Sequence, residues 1–144
     1  MKCINEMKLQ ICSRSSNESF ARVAVAAFLA QYDPTLDELS DIKTAVSEAV
    51  TNCIVHAYRT CMGRIYIQVR VMETMRVEIM VRDRGCGIED IKKAIEPMYT
   101  TDAVNERAGL GFTVMQTFMD KLSIKSKPGS GTTVKLIKTL PSKE

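Results

Sequence analysis

Two runs of strict apolar alternation sit close together near the middle of the chain: Ile65, Ile67, Val69 and Val71, then Val77, Ile79 and Val81. Side chains along a strand point alternately to opposite faces, so each run has one oily and one polar side. With Met72-Glu73-Thr74-Met75 between them, the spacing predicts a hairpin. A sheet that is oily on one side has to be covered there, and the flanking sequence supplies helices to cover it. Upstream, Phe20, Val23, Ala24, Ala27 and Phe28 recur at i, i+3, i+4, i+7 and i+8. That spacing predicts an amphipathic helix with this stripe on the core, capped near Ser16 or Asn17. Asp33-Pro34 stops it. Thr35 and Glu38 then form a capping box for a second helix with the stripe Leu39, Ile42, Val46, Ala49 and Cys53, running to about Tyr58.

Met7, Leu9 and Ile11 alternate with polar neighbours and predict a first strand. After Asp83 the chain is punctuated by Gly85 and Gly87, and a short helix is expected over 88–95. A polar loop over 97–108 leads to Gly109-Leu110-Gly111 and a helix marked by Phe112, Met115 and Met119. Leu122 with Ile124, and Val134 with Leu136, predict two closing strands around the turn at Pro128-Gly129-Ser130-Gly131. The order is β-α-α-β-β-α-α-β-β. It predicts an α/β (α+β) two-layer sandwich, a mixed and mostly antiparallel sheet covered on one face by helices.

At 144 residues the expectation is a single domain spanning 1–144. Twenty Lys and Arg against seventeen Asp and Glu leave +3, a surplus too weak and too scattered along the chain to argue for nucleic acid. The longest apolar run, Val23 to Ala30, is far short of the roughly 20 residues that span a bilayer, so no membrane partner is expected. Five cysteines without a CxxC pair, beside a single histidine, give neither a zinc site nor a disulfide framework. Reduced thiols in the cytoplasm are the simple reading.

Glu48 and Asn52 stand one turn apart on the second helix, at the rim of its buried stripe. A carboxamide oxygen there suits Mg²⁺ and a carboxylate suits proton acceptance, although the weak pattern by itself is better described by a solvated Glu and an idle Asn. Asp83 continues the alternation of Val77, Ile79 and Val81, so its carboxylate points into the apolar layer, where it needs a donor. The exocyclic amine of adenine is one such donor; an Asx-turn capping the strand is the competing reading. Thr132 shares the parity of Val134 and Leu136 and faces the same layer. Gly109-Leu110-Gly111, ahead of the Phe112 helix, is a candidate phosphate cradle or simply a helix-entry turn. Neither a P-loop nor a Rossmann fingerprint is present. His56 beside this group reads better as structural than catalytic, and Cys86 as a small turn residue.

Taken in order, these segments resemble an ATP-binding fold. Glu48-Ala49-Val50-Thr51-Asn52 is similar to the N box shared by histidine kinases, Hsp90, gyrase and MutL (the GHKL fold). Asp83 to Gly87 resembles its first glycine box, Gly109 to Gly111 its second, and Gly129 to Thr132 its last, with 97–108 as a lid. Asn17 to Arg22, Asp33-Pro34-Thr35 and Gly111-Phe112-Thr113 extend the likeness to the anti-sigma F factors of spore-forming bacteria, a family of serine-protein kinases. Two departures stand out: Ala57 where relatives often carry Gly, and Met98-Tyr99 where a Leu-Phe pair is common.

The resemblance implies a cytoplasmic homodimer that silences the sporulation sigma factor F. It also implies use of ATP and Mg²⁺ to phosphorylate a serine on an anti-anti-sigma antagonist. It assigns the general base to Glu48, the metal to Asn52 and the adenine anchor to Asp83, supported by Thr132, with Gly85 and Gly87 in that box. Gly109, Leu110 and Gly111 fall to the phosphate loop, Arg107 to a cation near the γ-phosphate, and Glu18 and Arg22 to a partner-facing surface. Two rivals use the same residues: the ATP-binding domain of a histidine kinase or another ATPase of this fold, and a binding module with a vestigial pocket.

Overall fold

In a computed structural model, the chain forms β1 (Cys3–Cys12), α1 (Ser16–Ala30), α2 (Leu36–Asn52), a π-helical turn (Cys53–Ala57), β2 (Arg64–Met72), β3 (Arg76–Arg82), α3 (Ala103–Phe118), β4 (Lys121–Lys127) and β5 (Gly131–Thr139). The structure describes residues 1–58, 61–85 and 103–141, with side chains for all of these except 103–110. The helix expected over 88–95, the first half of the lid, Cys86 and Gly87 lie outside the described residues.

The five strands form one sheet in the order β1-β2-β3-β5-β4, with every neighbouring pair antiparallel. The alternation places Leu9, Ile67, Val81, Val134 and Ile124 in one row across all five strands. Ile65, Val69, Val71, Val77, Ile79 and Leu136 extend that inner surface and pack against the helices in one apolar core. The β2–β3 hairpin closes as the composition predicts, with the Met75 amide donating to the Met72 carbonyl at 2.9 Å. The two-layer sandwich is therefore as expected. Among the described residues no helix is long and apolar enough to cross a membrane.

The second helix also starts where the sequence placed it. The Glu38 amide donates to the Thr35 hydroxyl at 3.1 Å, and the Thr35 amide donates to the Glu38 carboxylate at 2.7 Å. Ile42, Ala45, Val46, Ala49 and Val50 form its buried face.

The first helix is rotated from expectation. Its buried residues are Ala21, Val25 and Leu29, whereas Phe20 and Val23 are 52% and 56% exposed. The stripe Ala21, Val25 and Leu29 is the one buried completely, and the small Ala21 lets α1 approach α2. The Ser47 hydroxyl of α2 donates to the Glu18 carboxylate at the edge of that contact. Phe20, Val23 and Ala27 are left outside, while Phe28 stays partly buried against the core.

The third helix differs as well. It begins at Ala103, so 103–108 is helical rather than loop, and Gly109 and Gly111 lie within the helix instead of before it. Ala, Glu and Arg at 103–108 are good helix formers with no proline among them. An interior glycine costs only about 1 kcal/mol, which helix packing overrides.

The rotation of α1 predicts contrasting substitutions. Leu29→Ala should destabilise the fold by about 2–5 kcal/mol in urea unfolding, while Phe20→Ala should stay within about 0.5 kcal/mol.

Candidate functional site

The last turn of α2 presents Glu48 and Asn52 to the side of α3. Gly111 sits directly over them: a Cβ built there would lie 3.1 Å from Glu48 Oε2, 3.2 Å from Asn52 Oδ1 and 3.4 Å from its Nδ2. A residue without a side chain is what allows α3 to come this close. Both polar atoms of the Asn52 carboxamide are shut off from water and have no hydrogen-bond partner among the described residues. Leaving a buried amide unpaired costs about 1–3 kcal/mol for each group, so native proteins keep such atoms where a ligand or ion completes them. Its oxygen is a hard donor of the kind Mg²⁺ takes, and Mg²⁺ commonly keeps one or two protein ligands beside phosphate and water. The residues therefore fit a metal–phosphate group. Among the described residues there is no cluster of three or more His, Cys, Asp or Glu side chains that could hold a metal unaided.

Immediately after Asn52 the helix widens into the π turn, where the Tyr58 amide donates to the Cys53 carbonyl, five residues back, at 3.2 Å. Single π turns recur at functional sites because the extra residue redirects side chains. Here the Cys53 side chain reaches the end of β3. Ala57, at the close of the turn, lies against Gly85, where an added Cβ would stand 2.4 Å from the Ala57 Cβ. The Tyr58 hydroxyl ties the same region together, accepting from the Arg84 amide and donating to the Arg64 carbonyl, both at 2.7 Å.

Asp83 follows β3 with the parity of Val81 and is 6% exposed. The Asx-turn reading holds for one of its two oxygens. Oδ1 accepts from the Gly85 amide at 2.9 Å, an Asx-turn, and from the Thr132 amide at 3.2 Å. Among the described residues, Oδ2 meets only the Cys53 thiol, which donates to it at 3.6 Å. A thiol is a weak donor, so Oδ2 keeps acceptor capacity for a stronger one such as an amine. Burial pushes the Asp83 carboxyl above its usual range, against the pull of its amide and thiol donors. Burial, with the neighbouring Asp83 charge, also holds the Cys53 thiol well above its ordinary value, so it stays protonated and donating. Thr132 serves Asp83 through its backbone amide; its hydroxyl pairs with the Ser126 hydroxyl at 2.7 Å. Gly131 makes this possible, since at φ +104° an added Cβ would fall 2.3 Å from the Asp83 carbonyl oxygen.

The structure thus gathers two clusters joined by consecutive residues: Glu48, Asn52 and Gly111, then Cys53, Asp83, Gly85 and Thr132. Arg107, Gly109 and Leu110 belong to the backbone of α3 ahead of Gly111, with side chains outside the described set. Glu18 and Arg22 stand apart on α1, with Arg22 Nε 3.9 Å from the Glu18 carboxylate. The sequence reading missed Cys53 as a partner of Asp83, having placed it only in the helix stripe. Its position directly after Asn52 was the one available signal.

The chain matches the profile of the histidine kinase-like ATPase domain over residues 13–138. It is 56% identical over 138 residues to a curated Anti-sigma F factor of Caldanaerobacter subterraneus subsp. tengcongensis, covering 96% of each chain. It is 53% identical over 137 residues to the Anti-sigma F factor of Bacillus subtilis, covering 94% of this chain and 93% of that one. Among solved structures it superposes on the RsbU and RsbW domains of a Mycobacterium tuberculosis protein with a TM-score of 0.70 at 20% identity. That match covers 94% of this chain and 32% of the other. The histidine kinase domain of the Erythrobacter litoralis blue-light-activated kinase gives 0.57 at 20% identity, over 85% of this chain and 60% of that one. These two structural likenesses show a shared fold.

The raised Asp83 carboxyl predicts a signature in stability. A group whose folded pKa lies above its unfolded value contributes stability fully only below the unfolded pKa, and loses it as pH rises through the folded one. Asp83→Asn removes the charge and keeps an acceptor for the two amides. Its urea midpoint should equal or exceed wild type at pH 7, with the advantage vanishing below about pH 4.

Proposed function

The chain belongs to the anti-sigma F factor family, built on the histidine kinase-like ATPase domain, and from that premise we propose that it binds and silences the sporulation sigma factor F and, as an ATP-dependent protein serine kinase, phosphorylates the anti-anti-sigma antagonist. The observation that carries the enzymatic half is the Asn52 carboxamide, buried and unpaired beside Glu48. Asp83 Oδ2, met by the weak Cys53 thiol of the following turn, adds a second acceptor beside it.

In this reading Asp83 anchors the adenine by accepting from its exocyclic amine, while the Thr132 amide fixes the carboxylate from behind. Gly85 and Gly87 leave room for the flat base. Gly109, Leu110 and Gly111 bring the backbone of α3 against the triphosphate, where a side chain at 111 would crowd Glu48 and Asn52. Mg²⁺, held through the Asn52 oxygen, supplies charge neutralisation on the phosphates when bound. Arg107 adds a cation near the γ-phosphate. Phosphoryl transfer requires positioning and charge neutralisation more than covalent participation by the protein, and this residue set offers both. Glu48 then accepts the proton of the attacking serine hydroxyl. The segment 97–108 closes over the nucleotide and excludes water.

Glu18 and Arg22 form the partner-facing surface on α1. The exposed Phe20 and Val23 add apolar contact area on that helix. The protein works as a homodimer in the cytoplasm, each 144-residue chain acting as one ATP-binding kinase unit, with no direct contact to nucleic acid or membrane.

Incubating the chain with labelled ATP, Mg²⁺ and the antagonist should place label on a serine of the antagonist. Acid-labile phosphohistidine on the chain itself would favour the histidine kinase reading; no transfer at all would favour a binding module. Glu48→Gln should retain ADP affinity within about twofold and lose roughly 10²–10⁴-fold in transfer rate, measured by phosphoserine formation.

A further inference from the structure

The sheet face that the helices leave open gathers charge that the sequence disperses. Because side chains alternate, every second residue of each strand projects there, and the register brings cations from distant segments side by side. With Arg84, ten of the chain's twenty Lys and Arg stand on this face against two carboxylates, Glu6 and Glu78. The rest of the chain carries the other ten against fifteen Asp and Glu, the opposite sign. The face is therefore far more basic than the +3 of the whole chain.

The two carboxylates neutralise one part of it. Glu6 pairs with Lys8 and Arg70 at 3.6 and 3.8 Å, and Glu78 with Arg76 and Lys135 at 3.2 and 3.4 Å. At the end of the sheet nearest Asp83, no carboxylate among the described residues pairs with Arg64, Arg82, Arg84, Lys125 or Lys127. Cross-strand register places Tyr66, Arg82, Thr133 and Lys125 in one row there. Beside it opens a cavity of about 390 Å³, with Tyr66 and Met80 as apolar lining, the amides of Gln10 and Gln68, and Lys8 and Arg82 in its wall.

We propose that this end of the open face is a docking surface for an acidic, extended segment of a protein partner. The chemistry selects that class. Carboxylates spaced along a polypeptide meet the unpaired cations, while the Gln amides suit a backbone and the Tyr66–Met80 lining suits side chains. A single-stranded nucleic acid needs bare aromatic faces on which bases stack. Tyr66 is the aromatic residue of this row, and the Arg82 and Arg84 guanidinia already lie 5.0 and 5.2 Å from its ring centre. The cluster also steers: like charges in one patch raise the encounter rate with an oppositely charged partner and make binding sensitive to salt. Since β3 runs through the patch into Asp83, an occupant here lies at the rim of the candidate nucleotide site without using any of its residues.

The test uses the full chain and a fluorescent peptide of about twelve residues in which Glu alternates with Ser, read by anisotropy at about 0.05 and 0.15 M salt. Binding is expected, weakening at the higher salt. The double variant Arg82→Glu/Lys125→Glu should weaken it about tenfold or more, while Arg76→Glu/Lys121→Glu, at the opposite end of the sheet, should change it less than about twofold. Unaltered ADP affinity and thermal midpoint in the first variant would show that the loss is local. No peptide binding, equal losses in the two variants, or tighter binding of a single-stranded oligonucleotide or an anionic phosphatidylserine vesicle than of the peptide would overturn the proposal.

Discussion

A carboxylate held at the end of an apolar strand face is what the rest of this molecule is arranged around. Burying Asp83 is unfavourable, and the fold offsets the cost with three donors from three places: Gly85 just after it, Thr132 on β5, and Cys53 on the π turn. Each donor demands something further. Thr132 can reach only because Gly131 has no side chain to strike the Asp83 carbonyl, and Cys53 only because α2 widens by one residue after Asn52. The widening ties the two clusters to one helix end, so anything bound at Asp83 and at Asn52 spans a single rigid unit. The arrangement gives one carboxylate oxygen two amide donors and the other a weak thiol donor.

Much of this was legible in the residues. Period-2 alternation over Ile65–Val81 specified a sheet with one covered face, and its continuation to Asp83 specified which way that carboxylate points. The capping box at Thr35 and Glu38 fixed the start of α2, and with it the phase of Glu48 and Asn52. The rotation of α1 was not legible. Its sequence carries two apolar stripes, and the choice between them is made by packing against elements far away in the chain, α2 above all. The start of α3 was misread for a related reason: two glycines suggest a break, but packing of α3 on α2 outweighs their weak local preference. The π turn has no sequence signature, and neither did the meeting of Cys53 with Asp83.

The same alternation that hid the charge pattern in sequence creates it in space. Arg64 and Arg70 of β2, Arg76 and Arg82 of β3, and Lys121, Lys125 and Lys127 of β4 look sparse along the chain, yet antiparallel register packs them onto one surface. The molecule is consequently two-sided: helices and the candidate site on one side, a basic sheet on the other. Asp83 and Arg84, adjacent in sequence, sit at the boundary.

The central claim is that Asp83 Oδ2 receives the exocyclic amine of adenine. Its most direct test is calorimetric titration, with Mg²⁺ present, of the chain with ADP and with purine riboside diphosphate, which is the same molecule without that amine. ADP should bind at one site per chain, and the analogue at least about tenfold more weakly, the cost of leaving a buried acceptor unmet. Equal affinity for the two nucleotides, or none for ADP, would contradict the account.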